Sequence, residues 1–176
     1  MASERGSSPP WEKLRTGSAP TRGGQHVTRD TKLEGNARDR KLEDDALVRM
    51  AREAREKAYA PYSAFKVGAA VRCTDGRVFT GVNVESASYG LSCCAERVAV
   101  FKAVSEGCRS FEAIAVVSDG ASPVAPCGAC RQVLIEFSPQ ARMIMENLRG
   151  DRTEALVKDY LPDAFLPTAL PPGRQL

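Results

Sequence analysis

The sequence predicts an α/β fold, a three-layer α-β-α sandwich whose mixed sheet has roughly five strands. Three observations predict it. A segment of helical apolar spacing precedes a stretch of strict alternation, short apolar runs then alternate with helical segments, and glycines and prolines punctuate the joins. A chain of 176 residues with 43% hydrophobic content suffices for one core and not for two large ones.

Residues 1–43 are rich in Gly, Ser, Pro, Arg and Lys and poor in branched apolar side chains. Such a segment buries too little to offset its ordering entropy, so a flexible N-terminal tail is expected there. Residues 44–170 are expected to form the ordered domain and 171–176 a short C-terminal tail. Leu47, Met50, Ala51, Ala54 and Ala58 fall at helical spacing, with Asp44 or Asp45 as N-cap and Pro61 barring continuation. Phe65, Val67, Ala69 and Val71 alternate, Thr74-Asp75-Gly76 turns, and Val78 to Val82 returns, which is a β-hairpin.

A second helix is predicted from Cys94 to about Glu106, with Gly107 as its stop. Ile114 to Val117 reads as a buried strand, about Cys127 to Phe137 as a third helix, and Met143 to Met145 as another strand. Leu156 to Phe165 reads as a short strand and a turn of helix, closed by Pro167, Pro171 and Pro172. Helices should cover both faces of the sheet. The strands before Cys94 and Cys127 should lead into their helices at one sheet edge, so that crossovers set the two helix starts side by side.

Charge narrows the function. Residues 1–41 hold nine of the 25 Lys and Arg and five of the 22 Asp and Glu, leaving 16 positive and 17 negative side chains beyond them. A nearly neutral domain lacks the footprint of a nucleic-acid binder, so a small-molecule partner is expected. No run of about eighteen apolar residues points to a membrane span, and the N-terminus has no apolar signal core. With six cysteines and no such signal, reduced thiols or thiolate ligands in the cytoplasm are expected rather than disulfides.

Three of those thiols stand at the two expected helix starts: Cys94 at one, Cys127 and Cys130 at the other. A Cys-x-x-Cys pair in a first helical turn points both sulfurs to one side, and the free N–H groups there favour thiolate. Three thiolates on one zinc leave the fourth tetrahedral position open, as in catalytic sites, where bound water has a pKa of roughly 7. Glu96, two residues past Cys94, does not share its face and is free to carry a proton. The one histidine, His26, lies in the expected tail, so the domain has no imidazole ligand or base.

Cys94-Ala95-Glu96 followed by Pro126-Cys127-Gly128-Ala129-Cys130-Arg131-Gln132 closely resembles the signature of the cytidine deaminase family. Pro61-Tyr62-Ser63, Phe65-Lys66-Val67-Gly68-Ala69-Ala70 and Asn83-Val84-Glu85-Ser86-Ala87 resemble further segments of its small, free-nucleoside members. The resemblance covers about residues 45–168. It implies one zinc per subunit and hydrolytic deamination of cytidine and 2′-deoxycytidine in pyrimidine salvage, by a homotetramer of three-cysteine subunits.

The resemblance also implies individual roles. Asn83 and Glu85 would hold the ribose hydroxyls, Phe65 would wall the nucleoside, and the backbone of Ala95 would hold the base carbonyl. Phe165 would reach a neighbouring subunit's cavity, and Arg97 would hydrogen-bond the ligand thiolates and offset their charge. Ser86 stands where relatives often carry Asn.

Alternatives stand beside this reading. Pro126-Cys127-Gly128-Ala129-Cys130 could be a dithiol redox site. A fourth thiolate from Cys93, Cys73 or Cys108 would close the metal site and make it structural, as in a zinc-stabilised interaction protein. A modified cytosine nucleoside or a polynucleotide could replace the free nucleoside.

Overall fold

The structure, a computed structural model, describes residues 29–170, with side chains from residue 37 onward. The chain order is α1 (Arg29–Arg55), β1 (Val67–Cys73), β2 (Val78–Val82), α2 (Ala95–Ser105), β3 (Phe111–Ser118), α3 (Gly128–Phe137), β4 (Arg142–Asn147) and β5 (Arg152–Leu156). Two 3₁₀ turns, Val157–Tyr160 and Pro167–Ala169, follow. The five strands lie in the order β2-β1-β3-β4-β5, antiparallel except for the β3–β4 pair. The expected mixed five-stranded sandwich is present.

Alternation along the strands divides the core. Ala70, Ala113, Ala115, Val117 and Ile144 face Leu47, Val48 and Ala51 of α1. Ala69, Val71, Ile114, Val116, Met143 and Met145 face the opposite layer, with Ala99, Val100 and Ala103 of α2 and Leu134 and Ile135 of α3. A period of two on strands and near 3.6 on helices produces both interfaces. Two glycines permit the closest approaches. A Cβ on Gly68 would lie 2.1 Å from the Ala51 carbonyl oxygen on α1, and one on Gly81 2.4 Å from the Ala95 carbonyl oxygen on α2.

Because β1 is antiparallel to both β2 and β3, those two strands run the same way and end at the same sheet edge. Each leads through a loop into a helix, α2 after β2 and α3 after β3, so both helix starts meet at that edge. This is the arrangement the sequence predicts, with the refinement that β1 lies between β2 and β3.

Five expectations need correction. The first helix begins at Arg29 rather than near Asp45, so residues 29–43 of the expected tail are helical. Proline is absent from 21–60, and the polar stretch carries i,i+4 support such as Lys41–Asp45 at 2.8 Å. A solvated helix has no apolar stripe by which a sequence pattern could find it. The rest of that tail, and the C-terminal tail 171–176, lie outside the described residues.

Asp44 is accordingly no N-cap. It is buried at 4% exposure, accepts from Arg142 Nη2 at 2.8 Å and Arg72 Nη2 at 3.2 Å, and so joins α1 to β1 and β4. Met50, assigned to the buried stripe, is exposed. The last strand precedes Leu156 instead of starting there, since β5 is a partly exposed edge strand without apolar alternation. Finally, Cys73 and Cys108 are joined in a disulfide between the end of β1 and the segment after α2, against the expectation of reduced thiols throughout. Their pairing across 35 residues is a tertiary fact that spacing does not show.

Candidate active site

The helix starts carry the chemistry. Cys94 and Cys127 are the N-cap residues of α2 and α3, both with extended backbone and neither using its side chain as a cap. Their carbonyls accept the first intrahelical bonds, from Val98 N at 3.1 Å and Arg131 N at 3.0 Å, while their sulfurs turn toward each other. Cys130 lies one turn into α3 and is buried. The Cys94–Cys127 and Cys127–Cys130 sulfur separations are 3.7 and 3.5 Å, and all three sulfurs lie within 4.8 Å of one another.

A tetrahedral zinc with Zn–S bonds near 2.3 Å separates its sulfurs by about 3.8 Å, so the triangle fits that ion. Among the described residues no fourth Cys, His, Asp or Glu joins the group. Cys73 and Cys108 bond to each other instead, and Cys93 lines the adjoining cavity without entering the cluster. Among the described residues a closed four-ligand site is therefore not formed, and the three thiols suit one zinc per chain.

The electrostatics agree with a thiolate site. The Cys94 thiol is pulled down to about 5, first by its hydrogen bond with the Cys130 thiol and then, against the effect of burial, by Arg97 and Cys127. Cys130 is pushed up by that same hydrogen bond and by burial. Arg97 Nη2 donates to Cys94 Sγ at 3.8 Å and to the Ser92 carbonyl at 3.1 Å. Glu96 is 5% exposed, and burial raises its carboxyl to about 6, with the nearby Cys94 charge adding to the rise. A carboxyl held there is close to balance between taking and giving a proton near neutral pH.

A cavity of about 460 Å³ opens from the thiols between the β1 approach and the β3–α3 loop. Cys94, Glu96 and Cys127 line one end, and Phe65, Asn83 and Glu85 also line it, so most of the residues singled out in the sequence share one space. Ala95 is fully buried as the first residue of α2, where position leaves a backbone N–H without an intrahelical partner. Phe165 does not line the cavity of its own chain. It is 63% exposed, and its carbonyl accepts from Gln132 Nε2 at 2.7 Å.

Pattern reading missed Ser92, Ser118, Val124 and Ala125, which also line the cavity, and named Ser63 and Cys93 without placing them there. Ser92 and Cys93 could have been found by their place before Cys94; the others depend on loop packing. It also missed a second duty of Asn83 and Glu85. Asn83 accepts from Val67 N at 2.8 Å and donates to the Phe65 carbonyl at 2.8 Å. Glu85 accepts from Tyr62 N at 2.9 Å and Ser63 N at 3.2 Å, and its carboxyl is lowered chiefly by the hydrogen bond from the Ser63 hydroxyl.

Fold and cluster together define an α/β protein with a three-thiolate metal site at paired helix starts and a buried acid beside it. The family model described as "Cytidine and deoxycytidylate deaminase zinc-binding region" matches residues 41–146. The cytidine deaminase of Halalkalibacterium halodurans is 53% identical over 125 residues, which cover 70% of this chain and 95% of that protein. That of Mycobacterium tuberculosis is 45% identical over 71% of this chain and 91% of its own length. Among solved structures, cytidine deaminase from Burkholderia pseudomallei is 56% identical with a TM-score of 0.67, covering 69% of this chain and 98% of that one. The chain belongs to the cytidine and deoxycytidylate deaminase family.

Proposed function

We propose that the protein is a zinc-dependent hydrolase converting cytidine and 2′-deoxycytidine, with water, to uridine and 2′-deoxyuridine and ammonia. The observation that carries this reading is Glu96, buried beside three thiols that fit one zinc and facing a cavity of nucleoside size. When bound, the ion supplies a Lewis acid that brings the pKa of water to roughly 7.

The chain's own residues do the rest. Glu96 takes a proton from the attacking water and gives it to N3 of the base. As the amine departs from C4, Glu96 passes the second water proton to it, so the carboxylate is regenerated. Asn83 and Glu85 hold the sugar hydroxyls, Phe65 packs against the nucleoside, and the Ala95 N–H fixes the base carbonyl. Arg97 offsets the net negative charge of three thiolates around a divalent ion.

Asp44 is the first buried side chain among those described on α1, those of 37–43 being exposed, which supports 44–170 as the catalytic unit even though the helix itself starts earlier. The assembly is a homotetramer in which Phe165 enters a neighbour's cavity. Its exposure supports this, as does that of Tyr89 and Leu91, 72% and 76% exposed. A cytoplasmic setting suits the free ligand thiols, against which the Cys73–Cys108 disulfide stands as an exception, and no helix among the described residues is long and apolar enough to cross a membrane.

Incubating the zinc-loaded protein with cytidine and following the ultraviolet change toward uridine tests the reading. Turnover is expected with about one zinc per chain, and a metal-free preparation with full turnover would refute it. Sedimentation of the same preparation tests the tetramer.

A further inference from the structure

The wall of the cavity formed by Phe65 and Val67 precedes and begins β1, and it has two sets of supports. On the β2 side, the Asn83 side chain holds the Phe65 carbonyl and the Val67 N–H. Backbone groups of Lys66, between them, face the opposite way, toward β3. There the regular ladder ends at the pair Val67 and Ser118. One residue further, Asp119 N donates to the Lys66 carbonyl at 3.3 Å, and Lys66 N donates to Asp119 Oδ2 at 3.0 Å. A carboxylate oxygen thus takes the place of a strand carbonyl and extends the ladder by one rung.

The substitution has a local cause. After Ser118 the main chain leaves the sheet for a tight turn, in which a Cβ on Gly120 would lie 2.5 Å from Val124 Cγ2. That turn leads to Val124 and Ala125, the facing side of the cavity. Asp119 therefore sits where both walls diverge, without lining the cavity itself. Its other oxygen accepts from Arg55 Nε at 2.7 Å and also from Arg55 Nη2, and Arg55 is 8% exposed at the end of α1. Burial pushes the Asp119 carboxyl up, but the Lys66 N–H and Arg55 outweigh it and hold the group ionised below the usual range.

We infer that Asp119, anchored by Arg55, is a positioning residue that sets the distance of the Phe65 wall from the bound nucleoside. It touches neither the thiols nor Glu96. The reacting end hangs from the starts of α2 and α3, whereas the wall hangs from Asn83 and Asp119, so loss of the Asp119 support changes nucleoside affinity and leaves the chemical step. The inference rests on the nucleoside reading above.

Asp119→Ala, Asp119→Asn and Asp44→Asn test it in the full-length, zinc-loaded enzyme. Asp44→Asn weakens a buried ion cluster that ties α1, the helix ending at Arg55, to β1 and β4, and serves as the stability control. Asp119→Ala is expected to raise KM for cytidine, and Kd for uridine measured by calorimetry, about tenfold, with kcat within about threefold and zinc still one per chain. Asp119→Asn, which keeps an acceptor for Lys66 N but loses the charge facing Arg55, should show a smaller rise and suffices if the alanine variant does not fold. Asp44→Asn should lower Tm with KM unchanged. Wild-type KM and Kd in both Asp119 variants, or an equal rise in Asp44→Asn, would overturn the inference. A wild-type enzyme inert toward cytidine would instead overturn the nucleoside reading.

Discussion

The two ends of the cavity are built in different ways. At the reacting end, the sulfurs and Glu96 belong to the first turns of two helices packed on the sheet, and Gly81 lets α2 approach without a side chain between. At the other end, Phe65 and its neighbours lie on an irregular approach to β1, held by the side chains of Asn83, Glu85 and Asp119. Regular backbone fixes the chemistry, and side-chain hydrogen bonds fix the fit. Substitutions at the first end should therefore act on the rate of the step, and those at the second on affinity.

The largest expected effect is that of Cys127→Ala. Removing one of three sulfurs should release zinc and cost several kcal/mol of transition-state stabilisation, a rate loss of roughly 10³-fold or more, read as zinc content alongside kcat. Glu96→Gln separates metal from proton transfer. Zinc should stay at about one per chain while kcat falls by about 10²–10⁴. Retention of turnover in that variant would mean that the acid at this end is not the proton carrier.

Smaller effects belong to the other end and to the periphery. Phe65→Ala should raise KM about tenfold through lost aromatic contact, with kcat within a few-fold. A fall in kcat alone would erase the division between the two ends. Replacing Cys73 and Cys108 together with alanine should leave KM and kcat unchanged. The disulfide lies at the far end of β1, about 20 Å from Val67 at strand spacing. It closes a segment with a sequence separation of 35, so thermal unfolding should report a loss of about 4 kcal/mol.

The same division explains what could be read in the sequence. The cluster of Cys94, Cys127 and Cys130 is legible because its meaning is local: thiols at fixed spacing beside helix starts. The hairpin is legible because Thr74-Asp75-Gly76 separates two alternating runs, and Gly76 does adopt a positive φ of 86°. The length of α1, the edge strand β5 and the Cys73–Cys108 bond are not legible, since a solvated helix and a half-exposed strand carry no apolar period and a disulfide partner is set by the fold. Asp44 shows the limit of a local rule. An acid before an apolar run is a good N-cap by its neighbours, yet Arg72 and Arg142, distant in sequence, make it a buried anchor. Asp119 is similar, for nothing beside it in the chain announces Lys66 or Arg55.

Cys94 and Cys127 occupy positions at which most helices place an oxygen that accepts from their own free N–H groups, and neither makes such a bond. Each vacated cap forgoes about 1 kcal/mol of local stability. The openings of α2 and α3 are therefore the parts of the packed layer most inclined to fray and exchange their amide hydrogens. A metal held by both sulfurs joins these two openings, so the ion needed for chemistry also closes the two loosest seams of the layer around it.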